Sequence, residues 1–186
     1  MSNDTPVRAL FLHGLESGPL GTKVLTLRAE GVDVTAPQLD ASQVAALIRD
    51  GSHDRDAYLR ALETPVQQGL DALVACAPEV VVASSFGAAV LMRMLGDARY
   101  GRVPALMLAG AAVQLTGQSS LPEGLRVVLV HGRDDVIIPI EDSRTLAASS
   151  QTAILVEVHD DHRLTKTTTS GLLSALVRLA ARGVRA

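Results

Sequence analysis

Three short stretches of this 186-residue chain hold side chains able to pass a proton and attack an electrophile. Ser84 and Ser85 follow the apolar run Val80-Val81-Val82 and precede Ala88 to Leu95, which reads as a helix. A serine on a sharp strand-to-helix turn holds its hydroxyl clear of the backbone, and such a turn requires small residues two positions to either side. Ser85 has Ala83 and Gly87 there, whereas Ser84 would have Val82 and Phe86, so Ser85 is the candidate nucleophile. Ala83 stands where glycine is usual, a departure of one methyl group. An ordinary Ser-rich turn at a strand end is the plain alternative.

A serine hydroxyl is a weak nucleophile near neutral pH and needs a base to take its proton, and an imidazole base needs an acceptor on its other nitrogen. The run Arg126 to Val130 reads as a buried strand leading into His131-Gly132-Arg133-Asp134-Asp135, with Val136 to Pro139 after it. Ala153 to Val158 reads as a strand leading into His159-Asp160-Asp161-His162-Arg163-Leu164. Each stretch offers two choices: Asp134 or Asp135 for the acceptor, His159 or His162 for the base.

The elements that must gather these groups follow from periodicity. Strands are expected near 7–12, 32–36, 79–84, 104–109, 126–131 and 153–158, and helices near 22–30, 42–49, 54–76 with an interruption around Pro65, 86–96, 141–149 and 165–182. Alternation of short apolar strands with helices implies an α/β fold, a parallel sheet of about six strands covered on both faces. Gly31 is placed as a helix stop, and Thr64-Pro65 as a cap and first-turn pair that restarts a helix. In the last helix, Leu172, Leu173, Leu176 and Leu179 form a core-facing stripe, with Arg178, Arg182 and Arg185 on the exposed side.

Serine, aspartate and histidine thus occur in that chain order, each just beyond a strand, and the chain resembles the α/β-hydrolase superfamily, close to its small lidless bacterial esterases and thioesterases. The residues that carry the likeness span nearly the whole chain: Phe11-Leu12-His13-Gly14-Leu15, Ala83-Ser84-Ser85-Phe86-Gly87, His131-Gly132 with Asp135 and Ile138-Pro139, and Asp161-His162-Arg163-Leu164. The resemblance implies a three-layer sandwich and selects Asp135 and His162 over their neighbours. It also implies an oxyanion hole from the backbone N–H groups of Leu15 and Phe86. His131 matches the family in type without thereby being catalytic. Against the full eight-stranded sheet of the superfamily, the first strand here corresponds to the third. About 16 residues separate the strands near 109 and 126, too few for a helical lid, so an open, shallow site is expected.

Ser17 and Leu20 are expected at the substrate, with a groove for longer chains formed by Leu15, Leu20 and Phe86, although loop packing is the plainer role for Ser17 and Lys23. The stretch Glu16 to Lys23 fails the phosphate-binding Gly-Lys-Ser/Thr pattern, because Thr22 separates Gly21 from Lys23. His159 and His162 lack further ligands at zinc spacing, so no metal and no cofactor is expected.

Composition agrees with one soluble domain over 1–186. Charged residues make up 20% and the formal net charge is −3, so no basic field attracts nucleic acid. Phe11, Tyr58, Phe86 and Tyr100 are too few for base-stacking platforms. The sequence contains no membrane-spanning run, and Met1 to Pro6 lacks a signal-peptide layout, which suggests a cytoplasmic protein. Cys76 is alone and reads as a buried small hydrophobe. The expected partner is a small-molecule ester or thioester, cleaved through an acyl-enzyme; a non-catalytic binding protein on the same scaffold is the competing class. Nothing in the sequence specifies an oligomeric state.

Overall fold

A computed structural model describes residues 5–182. In chain order the elements are β1 (Arg8–Leu12), α1 (Thr22–Ala29), β2 (Asp33–Thr35), α2 (Ser42–Arg49), α3 (Arg55–Ala61), α4 (Glu63–Cys76), β3 (Val80–Ser84), α5 (Phe86–Met94), a 3₁₀ turn at Ala98–Tyr100, β4 (Ala105–Leu108), α6 (Ala112–Thr116), β5 (Val127–Gly132), α7 (Ile140–Ala148), β6 (Ala153–Val158), α8 (Thr165–Thr169) and α9 (Leu172–Arg182). The strands form one sheet in the order β2-β1-β3-β4-β5-β6, and every neighbouring pair is parallel.

The period-two alternation of a strand divides its side chains between two cores. Leu10, Leu12, Val81, Ala83, Met107 and Leu129 meet α2 to α7 on one face. Phe11, Val80, Val82, Leu106, Val128 and Val130 meet Val24 and Leu27 of α1 and Leu173, Leu176 and Val177 of α9 on the other. Because both faces are covered, β3, β4 and β5 are buried throughout and read as unbroken apolar runs, while the edge strand β6 is only half-buried.

The chain leaves β1 toward the β2 edge and then crosses back to β3, so the sequence direction of the sheet reverses between β1 and β3. In open α/β sheets such a switch point, at the carboxyl ends of the strands, is where ligands bind. Gly31 does stop α1: with φ +79° it lets its own N–H reach the Arg28 carbonyl (3.1 Å) and the Val32 N–H reach that of Leu27 (3.0 Å), the paired bonds of a left-handed helix end.

Four expectations need correction. The break before α4 falls at Leu62, so Thr64 and Pro65 sit inside the first turn, where the missing proline N–H would have had no helical partner. The expected 165–182 helix is two helices, parted at Gly171 with φ +80°. The buried stripe of α9 is Leu173, Leu176, Val177 and Ala180, while Leu172 and Leu179 are exposed. Arg178 is half-buried and donates to the Glu30 carbonyl at the end of α1 (2.6 Å). Arg185 and the first four residues, on which the signal-peptide reading partly rests, lie outside the described residues.

Candidate active site

Ser85 sits between β3 and α5 with φ 51° and ψ −115°, a conformation that L-residues rarely adopt. Neighbouring chain segments hold it there. Its N–H donates to the Leu108 carbonyl (2.9 Å), and its own carbonyl accepts from the N–H groups of Ala88 (2.9 Å) and Ala111 (3.1 Å). Glycine is required at position 87, since a β-carbon would run into the Leu12 carbonyl. Gly14, two residues past the end of β1, approaches Ser85 so closely that a β-carbon on it would lie 3.4 Å from that of Ser85. Ser84, by contrast, is a buried residue of β3.

Asp135 lies in the loop after β5 with its side chain fully buried. Its Oδ1 accepts from the N–H groups of Ile137 (2.8 Å) and Ile138 (2.9 Å), and its Oδ2 accepts from His162 Nδ1 (2.8 Å). Burial alone would raise this carboxyl; the Ile138 N–H, the His162 ring and the Ile137 N–H outweigh it and hold the group below the ordinary aspartate range. Asp135 is therefore a carboxylate at neutral pH.

His162 reaches that carboxylate because the β5 and β6 loops are knitted together. Gly132 has no room for a side chain against the Asp160 backbone, and the N–H groups of Arg133 and Asp134 donate to the carbonyls of Val158 (2.8 Å) and Asp160 (3.1 Å). The buried Asp160 carboxylate then ties down its own loop, accepting from the Asp161 N–H (3.0 Å) and from the N–H (2.8 Å) and hydroxyl (2.9 Å) of Thr167. His162 Nε2 lies 3.0 Å from Ser85 Oγ. With Nδ1 facing a carboxylate, that nitrogen carries the proton, leaving Nε2 as an acceptor for the serine hydroxyl. The arrangement can draw a proton from Ser85 and steady the imidazolium that results.

Of the rival residues, Asp134 and His159 are exposed; among the described residues the first engages others through its backbone N–H and the second through its backbone carbonyl, which accepts from Lys166 Nζ (3.4 Å). Phe86 follows Ser85 directly and Leu15 follows Gly14, which packs against Ser85; neither backbone N–H has an acceptor among the described residues. The β1 loop is set by His13, a buried ring that sequence reading treated only as part of a motif. His13 Nε2 accepts from the Leu39 N–H (3.1 Å), so Nδ1 carries the hydrogen and donates to the Gly14 carbonyl (2.9 Å). Ser17 adds its N–H (3.3 Å) and hydroxyl (3.4 Å) to the same carbonyl, which makes it a brace of this loop.

The expected groove is corrected in one respect. The Phe86 ring is fully buried in the core and leaves only its backbone near Ser85; Leu15 is half-buried and Leu20 is 73% exposed. Val136 and Ile137, beside Asp135, are also exposed and place further apolar surface on this side of the sheet. A cavity of about 750 Å³ between α4, the end of α5 and the 118–122 loop contains none of Ser85, Asp135 and His162. Among the described residues no cluster of three His, Cys, Asp or Glu side chains is disposed to hold a metal, and no helix is long and apolar enough to cross a membrane. Burial raises the half-buried Cys76 thiol above its ordinary range, so it is not an activated nucleophile.

No protein-family model matches the sequence, and no curated protein does. Solved structures do. A protein from Xanthomonas campestris, described as a hydrolase of the alpha/beta superfamily, is 22% identical with a TM-score of 0.63, over 92% of this chain and 98% of that one. An esterase domain from Rhodothermus marinus is 16% identical with a TM-score of 0.65, over 99% and 90%. A second Xanthomonas campestris protein, a serine hydrolase described as being without a lid, is 18% identical with a TM-score of 0.63, over 94% and 82%. With its parallel six-stranded sheet, helices on both faces and a serine at the turn after β3, the chain has the α/β-hydrolase fold.

Proposed function

We propose that the protein is a serine hydrolase that cleaves carboxylic esters of small acyl groups. The observation that carries this reading is the unbroken relay from Ser85 Oγ to His162 Nε2 (3.0 Å) and from His162 Nδ1 to Asp135 Oδ2 (2.8 Å). A binding module has no need of all three groups in register.

In this reading, Ser85 Oγ attacks the acyl carbon as its proton passes to His162 Nε2, and Asp135 stabilises the imidazolium. The carbonyl oxygen becomes an oxyanion facing the Leu15 and Phe86 N–H groups. The C–O bond to the leaving alcohol breaks as Nε2 returns the proton to it, leaving an acyl group on Ser85. Water then loses a proton to Nε2 as it attacks the acyl carbon, and the bond to Ser85 Oγ breaks as Nε2 returns that proton to Oγ, releasing the acid and the free serine. The short connection from β4 to β5, which holds only the five-residue α6, leaves the site uncovered and favours short acyl chains.

Ser85→Ala tests the reading. The variant is expected to fold, to lose turnover of p-nitrophenyl acetate by on the order of 10⁴-fold or more, and to escape labelling by a fluorophosphonate that marks the wild type. Equal rates in a folded variant overturn it. Matched oxygen esters and thioesters then show whether the natural leaving group is an alcohol or a thiol.

A further inference from the structure

We propose that His131, a second and wholly buried histidine, is a positioning residue that presents its Nε2–H to Asp135 and sets how strongly that carboxylate holds His162. This inference rests on the hydrolase reading of Ser85, Asp135 and His162.

The imidazole has no solvent exposure. Its Nε2 lies 3.0 Å from the Ile138 carbonyl oxygen and 3.2 Å from Asp135 Oδ2, the same oxygen that accepts from His162. Both neighbours are acceptors only, so Nε2 carries a hydrogen whatever the charge of the ring. On the far side, Nδ1 meets the hydroxyl of Ser143 on α7 at 2.7 Å, which fixes the ring plane.

A closed circuit results. The Ile138 N–H donates to Asp135 Oδ1, the Ile138 carbonyl accepts from His131, and the same His131 N–H lies against Asp135 Oδ2. The carboxylate is thereby kept from turning about its own axis, with Oδ2 aimed at His162. The N–H dipole also draws negative charge away from Oδ2, and that charge stabilises the imidazolium of His162.

The other ionisable groups around the pair are few. Asp142 of α7 faces His131, which offsets part of the rise that burial imposes on that carboxyl, and Glu141 lies beside it. Asp160, Asp161 and Arg163 share the His162 loop, and Lys23 of α1 faces those three. None of them makes a hydrogen bond or ion pair with the Asp135 carboxylate, so among the described residues His131 is the one ionisable side chain besides His162 that lies against it.

The test uses His131→Leu and His131→Gln, the amide of glutamine being long enough to put an N–H where Nε2 stood. Two measurements are made: kcat and KM on a short-chain ester across pH, and the NMR titration of the His162 ring in histidine-labelled protein. For His131→Leu, kcat is expected to fall about 10-fold, as for outer hydrogen-bond partners elsewhere, with KM nearly unchanged. Its acidic limb and the His162 titration midpoint are expected to move up by about half a pH unit, because Oδ2 regains charge. His131→Gln is expected to recover most of both changes.

A ring that merely fills space gives a different result: a His162 midpoint unmoved in His131→Leu, or moved equally in His131→Gln, overturns the proposal. If His131→Leu does not fold, Ser143→Ala, which frees the ring plane, carries the test, and an unmoved midpoint there overturns it equally. The titration needs no turnover. A wild type that neither hydrolyses esters nor takes the fluorophosphonate sinks the hydrolase reading, while the midpoints still report on His131.

Discussion

The backbone at Ser85, with φ 51° and ψ −115°, carries strain of about 1–3 kcal/mol for a residue with a side chain, and it persists because three backbone hydrogen bonds and a glycine two residues on leave no alternative. That strain separates function from stability at one position. Replacing Ser85 by alanine removes the hydroxyl and keeps the strain; replacing it by glycine removes both. Ser85→Gly is therefore expected to be as inactive as Ser85→Ala yet about 1 kcal/mol more stable than it. Urea unfolding of the two variants gives the comparison, and a glycine variant no more stable than the alanine one contradicts a strained turn. The sequence announced this position through Ala83 and Gly87, because the demand for small neighbours is local. His131 was legible only as a residue type. Its partners, Ile138 and Ser143, come to it through the path of the loop and the packing of α7, which no local pattern encodes.

At the level of elements, the site depends on two loops from adjacent strands behaving as one piece. Asp160 joins them: its carbonyl receives the Asp134 N–H of the β5 loop, and its carboxylate ties Asp161 of its own loop to Thr167 of α8. Burial alone would raise that carboxyl, but the Thr167 N–H and hydroxyl, the Asp161 N–H and Lys166 bring it below the ordinary range. In Asp160→Asn the amide nitrogen must face donors and cannot accept from them. The change is expected to cost about 1–3 kcal/mol of stability and to lower kcat more than KM, since His162 loses its fixed approach to Ser85 while the acyl site stays intact. Urea midpoints and steady-state kinetics on one preparation check both halves; a KM effect without a kcat effect counts against the positioning role. The central strands were legible because burial on both faces makes β3, β4 and β5 nearly continuous apolar runs, and half-buried β6 through its apolar stretch Ala153 to Val156. The division of α8 from α9 was not, since a single glycine is tolerated within a helical stretch and only the positive φ at Gly171 marks the break. Five-residue α6 is too short for a helical period to show.

Across the whole molecule, the reversal of strand order between β1 and β3 places Ser85 at the sheet's switch point, and the buried carboxylates that assemble the site keep their charge because the fold supplies their donors. Stability and site geometry should therefore fail together in acid. Asp135 and Asp160 both titrate lower in the folded protein than in an unfolded chain, and Asp97, held by Arg99 at the surface, is lowered to about 2. Between the unfolded value, about 3.9, and these folded values, the unfolded chain binds more protons than the native one, so their stabilisation is complete above that window and is lost as pH falls through it. Asp142 opposes the trend, because burial raises its carboxyl and protonation relieves a cost of folding, but it stands alone against the others. The urea midpoint is expected to be insensitive to these groups from pH 7 to 5 and to fall steeply from about pH 4.5 to 2.5. Asp135→Asn, which cannot take up that proton, should show a shallower fall over the same interval. Equal slopes for wild type and variant would mean that Asp135 is not held as a low-titrating carboxylate. The relay to His162 would then lack the charge that makes it work.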